Sequence, residues 1–285
     1  MKPELRAERE RLAAEANRKY RDEQIFRERL SKARLHTTLE DGLVFIGSDS
    51  HYRPNIVSTA HRAFVHLAKE MRPRIIVKNG DELDFPRISR HPPIGWESLP
   101  SVAEEIEFAK ERLQEIIDAV PGASRYWPLG NHDARFSTRL AEQAPQYAKV
   151  HGVQLSDHFP QWNNCWAVWI NNDVVVKHRG KNGIHATYNN VKDSGKTIIT
   201  GHLHALKVAP FSDYNGVRYG VDCGTLADIY GDQFVDYTED SPKSWGSGFV
   251  ILKFVKGQLL QPRIVRVVDE RAGTVDCWGD KIITV

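Results

Sequence analysis

The chain has 285 residues, and 39 basic against 37 acidic side chains leave a formal charge of +2. That balance excludes a protein built around bulk polyanion binding, so any contact with nucleic acid must be local. With 41% hydrophobic and 27% charged residues the composition is that of an ordinary globular chain able to bury a large core.

Residues 3–35 are dense in Arg and Glu, contain no Gly, and place Leu5, Leu12, Ala16, Phe26, Leu30 and Ala33 close to a helical stripe. This predicts one long helix, broken near Tyr20, and a charged helical extension over residues 1–38 ahead of a single domain over 39–285. Lys19 and Glu23 interrupt the stripe, which leaves packing on the body, homo-oligomer formation and a partner surface open as its use.

Leu43-Val44-Phe45-Ile46 reads as a strand ending at Gly47, with Asp49 and His51 on the loop beyond it. A helix follows over about Val57 to Met71. Ile75-Ile76-Val77 is the second such run and delivers Asn79-Gly80-Asp81. Ser101-Val102-Ala103-Glu104 is a capping-box signature, opening a helix whose Ile106, Leu113, Ile116, Ile117 and Val120 keep one face. Ser124 to Leu129 is a third strand, delivering Gly130-Asn131-His132-Asp133. Strand, donor-bearing loop and helix in succession imply parallel strands with crossover helices, which bind ligands at the strands' carboxyl ends.

The second half reads differently. Asn171-Asn172 between Cys165–Ile170 and Val174–Lys177, Asn215-Gly216, and Lys256-Gly257 are hairpin signals. Val174-Val175-Val176 leads into His178, and Ile198-Ile199-Thr200 into Gly201-His202-Leu203-His204. Cys165, Cys223 and Cys277 are odd in number and lack metal-ligand spacing, which argues against a disulfide framework. No apolar run approaches a bilayer span and Met1 leads directly into charged residues, so the expectation is a soluble, cytoplasmic protein with no membrane partner.

The blocks at Asp49/His51, Asp81/Asp84, Asn131/His132, His178 and His202/His204 are all oxygen or imidazole donors on loops, and such a set points to metal. Two divalent ions can clamp a phosphoryl group and hold a nucleophilic hydroxide for in-line attack. They need a shared carboxylate, imidazoles that favour first-row ions, and neutral oxygens such as an Asn carbonyl.

In this order the blocks resemble the calcineurin-like metallophosphoesterase superfamily, whose pattern is D-x-H, G-D-x-x-D, G-N-H-D/E, a lone H, and G-H-x-H; the match spans about Val44 to Leu206. The resemblance implies a four-layered α/β/β/α sandwich of two mixed sheets, here with the N-terminal helical extension. It implies two divalent ions, manganese first, with iron, zinc, nickel and magnesium as alternatives. Asp49, His51 and His204 would hold one ion and Asn131, His178 and His202 the other, with Asp81 bridging them. His132 would face the leaving oxygen, a role that suits an imidazole, with Asp84 bonded to it. Asp133 would support the loop from behind.

Phe85 stands where the phosphoprotein phosphatases carry a phosphate-binding arginine, which weakens the protein-phosphatase reading. Arg87, Arg90 and Arg135 are the alternative phosphate contacts, Arg87 and Arg135 first, and His185, in the polar stretch Lys181 to Lys196, is a further substrate candidate. The residues from Pro86 to Pro100 form either a rigid loop over the site or a plain connector. His36, His61, His66, His91, His151 and His158 read as surface or core residues, and Trp162, Trp166, Trp169, Trp245 and Trp278 as core.

The function expected is hydrolysis of phosphodiesters, nuclease activity included, through a metal-bridging hydroxide. The alternatives are a phosphomonoesterase and a non-catalytic metal-bound scaffold like the retromer subunit of this fold. The partner is then a phosphate ester, extending to nucleic acid, and the substrate's identity does not follow from the sequence.

Overall fold

Strand β2 (Gly42–Gly47) lies at the centre of the computed structural model, which describes residues 8, 11–12, 14–21, 33–91, 99–148, 150–231, 234, 238, 241 and 243–285. Its residues alternate between two cores. Phe45 enters a cluster with Phe64 and Leu67 of helix α1 (Thr59–Met71) and Leu113 and Ile116 of α2 (Val102–Ala119), whereas Val44 and Ile46 enter a second cluster with the facing sheet.

Parallel pairing runs from β2 to β3 (Ile75–Lys78), β4 (Ser124–Pro128) and β5 (Asn163–Cys165). On the other side of β2 the sheet turns antiparallel through β11 (Gly248–Val255), β13 (Arg263–Asp269), β14 (Thr274–Cys277) and β15 (Lys281–Thr284), with β12 (Gln258–Leu259) paired to β11. The switch from parallel to antiparallel neighbours thus falls at β2 itself. Helix α3 (Asp133–Gln143) and the short α4 (Leu155–His158) separate β4 from β5.

The facing sheet has the order β1 (Arg34–Thr37), β6 (Ala167–Ile170), β7 (Val174–Val176), β8 (Thr197–Thr200), β10 (Gly216–Asp222), β9 (Lys207–Asp213). Val168, Ile170, Val174, Val176, Ile199 and Val221 meet Val44, Ile46, Val77 and Val250 between the sheets. Val175 and Ile198 point the other way and pack on Val191 of α5 (Ala186–Ser194). Helices therefore cover the outer face of each sheet, and both sheets are mixed.

Local chemistry explains the boundaries. Ser101 and Glu104 close the capping box reciprocally, at 2.7 and 3.2 Å. Asn171 and Asn172, with φ of 51° and 57°, make the tight turn that joins β6 to β7, and Lys256 and Gly257 do the same between β11 and β12.

One expectation is corrected. The helix predicted to reach Leu35 does not, because Arg34–Thr37 pairs in parallel with Ala167–Ile170 and forms the sheet's edge strand; Leu5, Phe26 and Leu30 of the predicted stripe lie outside the described residues. Leu35 packs against the core between the sheets, while Arg34 and His36 cover the face of Trp169. Those contacts outweigh helix propensity, and the sheet domain begins several residues before position 39. The described residues between 8 and 21 are helical and exposed. Among the described residues no helix is long and apolar enough to cross a membrane.

Candidate metal centre

The loops after β2 and β3 are laced together by their backbones. Asp49 N–H donates to the Gly80 carbonyl at 2.8 Å, His51 N–H to Asp81 at 3.1 Å, and Tyr52 N–H to Glu82 at 2.8 Å. Asp49, His51, Asp81, His202 and His204 all have φ between 42° and 72°, in the left-handed region that non-glycine residues seldom occupy. Glycine is required where loops cross: a Cβ on Gly130 would lie 2.0 Å from Asp81 Oδ1.

Asp133 ties the third loop to the second. Its carboxylate accepts from the N–H groups of Asp81 (2.9 Å), Glu82 (3.0 Å) and Gly130 (2.9 Å) and from Trp127 Nε1 (2.9 Å). Burial and the Asp81 charge push its carboxyl up, against the donors from Gly130 and Trp127.

Among the described residues three groups of donors result: Asp49, His51 and His204; Asp81, His178 and His202; and His51, Asp84 and His132, with ligand atoms within 4.8 Å of one another in each. Asp49 Oδ1 is 3.0 Å from His204 Nε2, and Asp81 Oδ2 is 3.0 Å from His178 Nε2. Asp81 falls in the second group alone, with its Oδ1 accepting from His132 N–H at 2.8 Å.

The donors fit divalent ions in a specific way. His51 Nδ1 and Nε2, His178 Nε2, His204 Nδ1 and Asn131 Oδ1 are buried without a hydrogen-bond partner, a set of unpartnered polar atoms that protein packing seldom leaves. His178 Nδ1 faces the Asn79 carbonyl at 2.7 Å, which leaves Nε2 as the ligating nitrogen, the usual second-sphere arrangement for a metal-bound imidazole. Burial would push His51 and His178 down, yet the surrounding carboxylates prevail and raise them to about 9 and about 10. Asp49, despite burial, is held at about 2 by His204 and His178.

Asp84 and His132 meet at 2.5 Å through Oδ1 and Nδ1, and Asp84 Oδ1 is also 3.6 Å from His51 Nδ1. Burial opposes ionisation of Asp84, but contacts with His132 and His51 hold its carboxyl well below the usual range. On the other side of the ring, Arg135 reaches His132 Nε2 at 3.1 Å.

The remaining substrate candidates are placed differently. Arg87 directs its guanidinium at the carbonyls of Leu99 (2.7 Å) and Pro100 (3.1 Å), so it stitches its own loop together. His185 is exposed at the start of α5 and joins none of the three donor groups. The two ends of that loop border the site, since Pro86, Leu99 and Pro100 line a cavity with His51, Asp84 and Glu105, while residues 92–98 lie outside the described residues.

Sequence reasoning missed several neighbours of the centre. Trp245, expected in the core, is half-buried with its ring 4.5 Å from that of His204, and Phe234 sits 5.5 Å from His51. Neither lies in a motif. Lys78 is fully buried at the end of β3 and pairs with Glu82 and Ser50 at 2.8 Å each; a lysine closing an apolar strand was its only signal. Glu105 accepts the Phe85 N–H at 2.9 Å, and its signal, a second glutamate beside the capping residue, is indistinguishable from helix chemistry.

No family model matches the sequence, and no curated protein matches it. Solved structures do. One is a serine/threonine phosphatase from Saccharomyces cerevisiae, at TM-score 0.42 and 12% identity, covering 90% of this chain and 85% of that one. Another is Yfce, a phosphoesterase from E. coli, at TM-score 0.35 and 16% identity over 77% of this chain and 97% of that one. A third is a dimetal phosphatase from Danio rerio, at TM-score 0.41 and 11% identity over 84% and 99%. These likenesses are distant.

Proposed function

We propose that the chain is a two-metal phosphoesterase acting on phosphodiesters. The observation that carries this reading is the adjacency of two three-residue donor groups, with their orphaned nitrogens and the Asn131 oxygen, to a carboxylate–imidazole pair. Asp49, His51 and His204 would hold one ion, and Asp81, Asn131, His178 and His202 the other. Bound ions would supply Lewis acidity toward phosphoryl oxygens and acidify water.

The chain's own residues do the rest. Asp84 fixes His132 through Nδ1, leaving Nε2 for the oxygen of the departing group, which needs a proton when it leaves as an alkoxide. Asp133 holds the second and third loops in register, so Asn131 and His132 keep their place beside Asp81. The His51 and His204 rings are walled by Phe234 and Trp245, which limits water at that side.

The preference for a diester rests on the exposed cations that follow His178. Arg179 and Lys192, with Lys181 paired to Asp193, lie along the stretch between two ligand-bearing segments, where a second ester arm, including a nucleic-acid strand, finds positive charge. A monoester has no such arm.

The test is a side-by-side assay of manganese-loaded protein on p-nitrophenyl phosphate, bis-p-nitrophenyl phosphate, a cyclic nucleotide, and single- and double-stranded DNA. A diester rate above the monoester rate supports the proposal. The reverse ratio assigns a phosphatase, and no turnover of any substrate with two ions bound assigns a scaffold.

A further inference from the structure

We propose that Arg135 is the residue that grips the phosphate of the substrate, and that it does so by leaving His132; this rests on the phosphoesterase reading above. Arg135 lies one helical turn after His132, so both side chains emerge on the same face of α3. Its NH1 donates to the Asp84 carbonyl at 2.7 Å and its NH2 reaches His132 Nε2 at 3.1 Å.

The second contact is a poor use of a charged donor. A guanidinium bonds most strongly to an anionic oxygen, and two of its N–H groups match two oxygens of one phosphate. An imidazole nitrogen offers one neutral lone pair. Because Asp84 already takes Nδ1, Nε2 is the nitrogen that must face the substrate, and Arg135 stands on it. Any substrate oxygen within hydrogen-bond reach of Nε2 is therefore also within reach of this guanidinium. Exchange of the imidazole for a phosphate oxygen frees the Nε2 lone pair to take a proton from water, which it can then pass to the leaving oxygen.

The surroundings favour this assignment over a purely structural one. The Asp84 carbonyl anchors the base of the guanidinium, and Phe136, the next residue, packs on the buried Phe85 at 5.7 Å, so the first turn of α3 is pinned while the head stays partly open to solvent. Two neighbouring cations are committed elsewhere: Arg87 to Leu99 and Pro100, and Lys78 to Glu82 and Ser50. Among these, Arg135 alone touches the catalytic pair.

The experiment uses manganese-loaded protein, with inorganic phosphate as the probe in calorimetric titration and bis-p-nitrophenyl phosphate as substrate. Arg135→Ala and Arg135→Lys should each weaken phosphate binding by about 10- to 100-fold, with metal content and melting temperature unchanged. Added guanidinium ion should restore part of the Arg135→Ala rate, which a lost structural contact would not allow. Should Arg135→Ala prove unstable, the lysine variant decides, since it retains a donor for the Asp84 carbonyl but lacks the planar fork. Unchanged phosphate affinity in a well-folded variant, with the wild type active, overturns the role of Arg135 and leaves the phosphoesterase reading standing. A wild type that binds metal but neither binds phosphate nor cleaves any ester overturns both.

Discussion

His178 Nε2 lies 3.0 Å from Asp81 Oδ2 without the alignment of a hydrogen bond, while its Nδ1 is committed to the Asn79 carbonyl. A nitrogen lone pair and a carboxylate oxygen facing one another need a cation or a proton between them. The buried pair therefore holds either the imidazole's own proton or, once that proton leaves, a cation.

Asp81→Asn should lower the metal content below two ions per chain, because it removes the only carboxylate grouped with His178 and His202. Elemental analysis of the purified variant reads this directly. Two ions retained with full activity would remove Asp81 from the ligand set.

Metal uptake should release protons. With His51 at about 9 and His178 at about 10, both rings are charged at neutral pH in the metal-free chain, and a ligating imidazole must be neutral. Each ion then displaces one proton, and affinity rises with pH until those values are passed. The sign for stability is opposite: both pKa values exceed the unfolded value of about 6.5, so their contribution to the metal-free fold is complete below it and lost as pH rises through 9 and 10. Calorimetry in buffers of different ionisation enthalpy counts the protons. Melting curves with and without metal should diverge as pH increases.

His132→Ala should keep both metals and slow the reaction by about 100- to 10,000-fold on alkyl or nucleoside esters, the usual range for a lost general acid. The loss should be smaller on p-nitrophenyl esters, whose leaving oxygen hardly needs a proton. Asp84→Asn should act in the same direction but more weakly, since the imidazole remains. Equal losses across leaving groups would make His132 an electrostatic contact instead.

Glu105 is 1% exposed, and burial raises its carboxyl to about 7 despite N–H donors from Phe85 and Asp84. The folded value lies above the unfolded one, near 4.5, so the fold holds the extra proton and loses stability as pH rises from about 4.5 to 7. Glu105→Gln keeps an acceptor for the Phe85 N–H and removes the charge. It should stabilise the protein by about 1 to 3 kcal/mol at pH 8 and have little effect at pH 4, read by denaturant titration at fixed metal saturation. A variant less stable at pH 8 would mean the ionised carboxylate is needed where it stands.

The strand-and-loop order of the site was legible because each block follows an apolar β-run, and periodicity of two is a local signal. Asp49, Asp81 and Asn131 could be placed at strand ends before any coordinates. What was not legible depends on contacts distant in sequence. Arg34–Thr37 becomes a strand only because Ala167–Ile170 is there to pair with it, and Trp245 reaches His204 across a stretch with no periodic pattern. Arg87 and Arg135 looked equivalent as isolated guanidinium groups; the acceptors that separate them, Leu99 and Pro100 for one and His132 for the other, are set by loop geometry.

The left-handed backbone at Asp49, His51, Asp81, His202 and His204 gives these positions two jobs at once, since the residues that would carry ligand atoms also reverse the chain. Each such residue costs about 1 kcal/mol that glycine would not. Replacing one by a β-branched residue would break the bend as well as remove the donor, so the damage would spread along the laced loops. Asparagine tolerates the bend and glycine prefers it. A chain that drifted toward those two residues here could lose its donor atoms step by step while keeping its shape, at no cost to the fold.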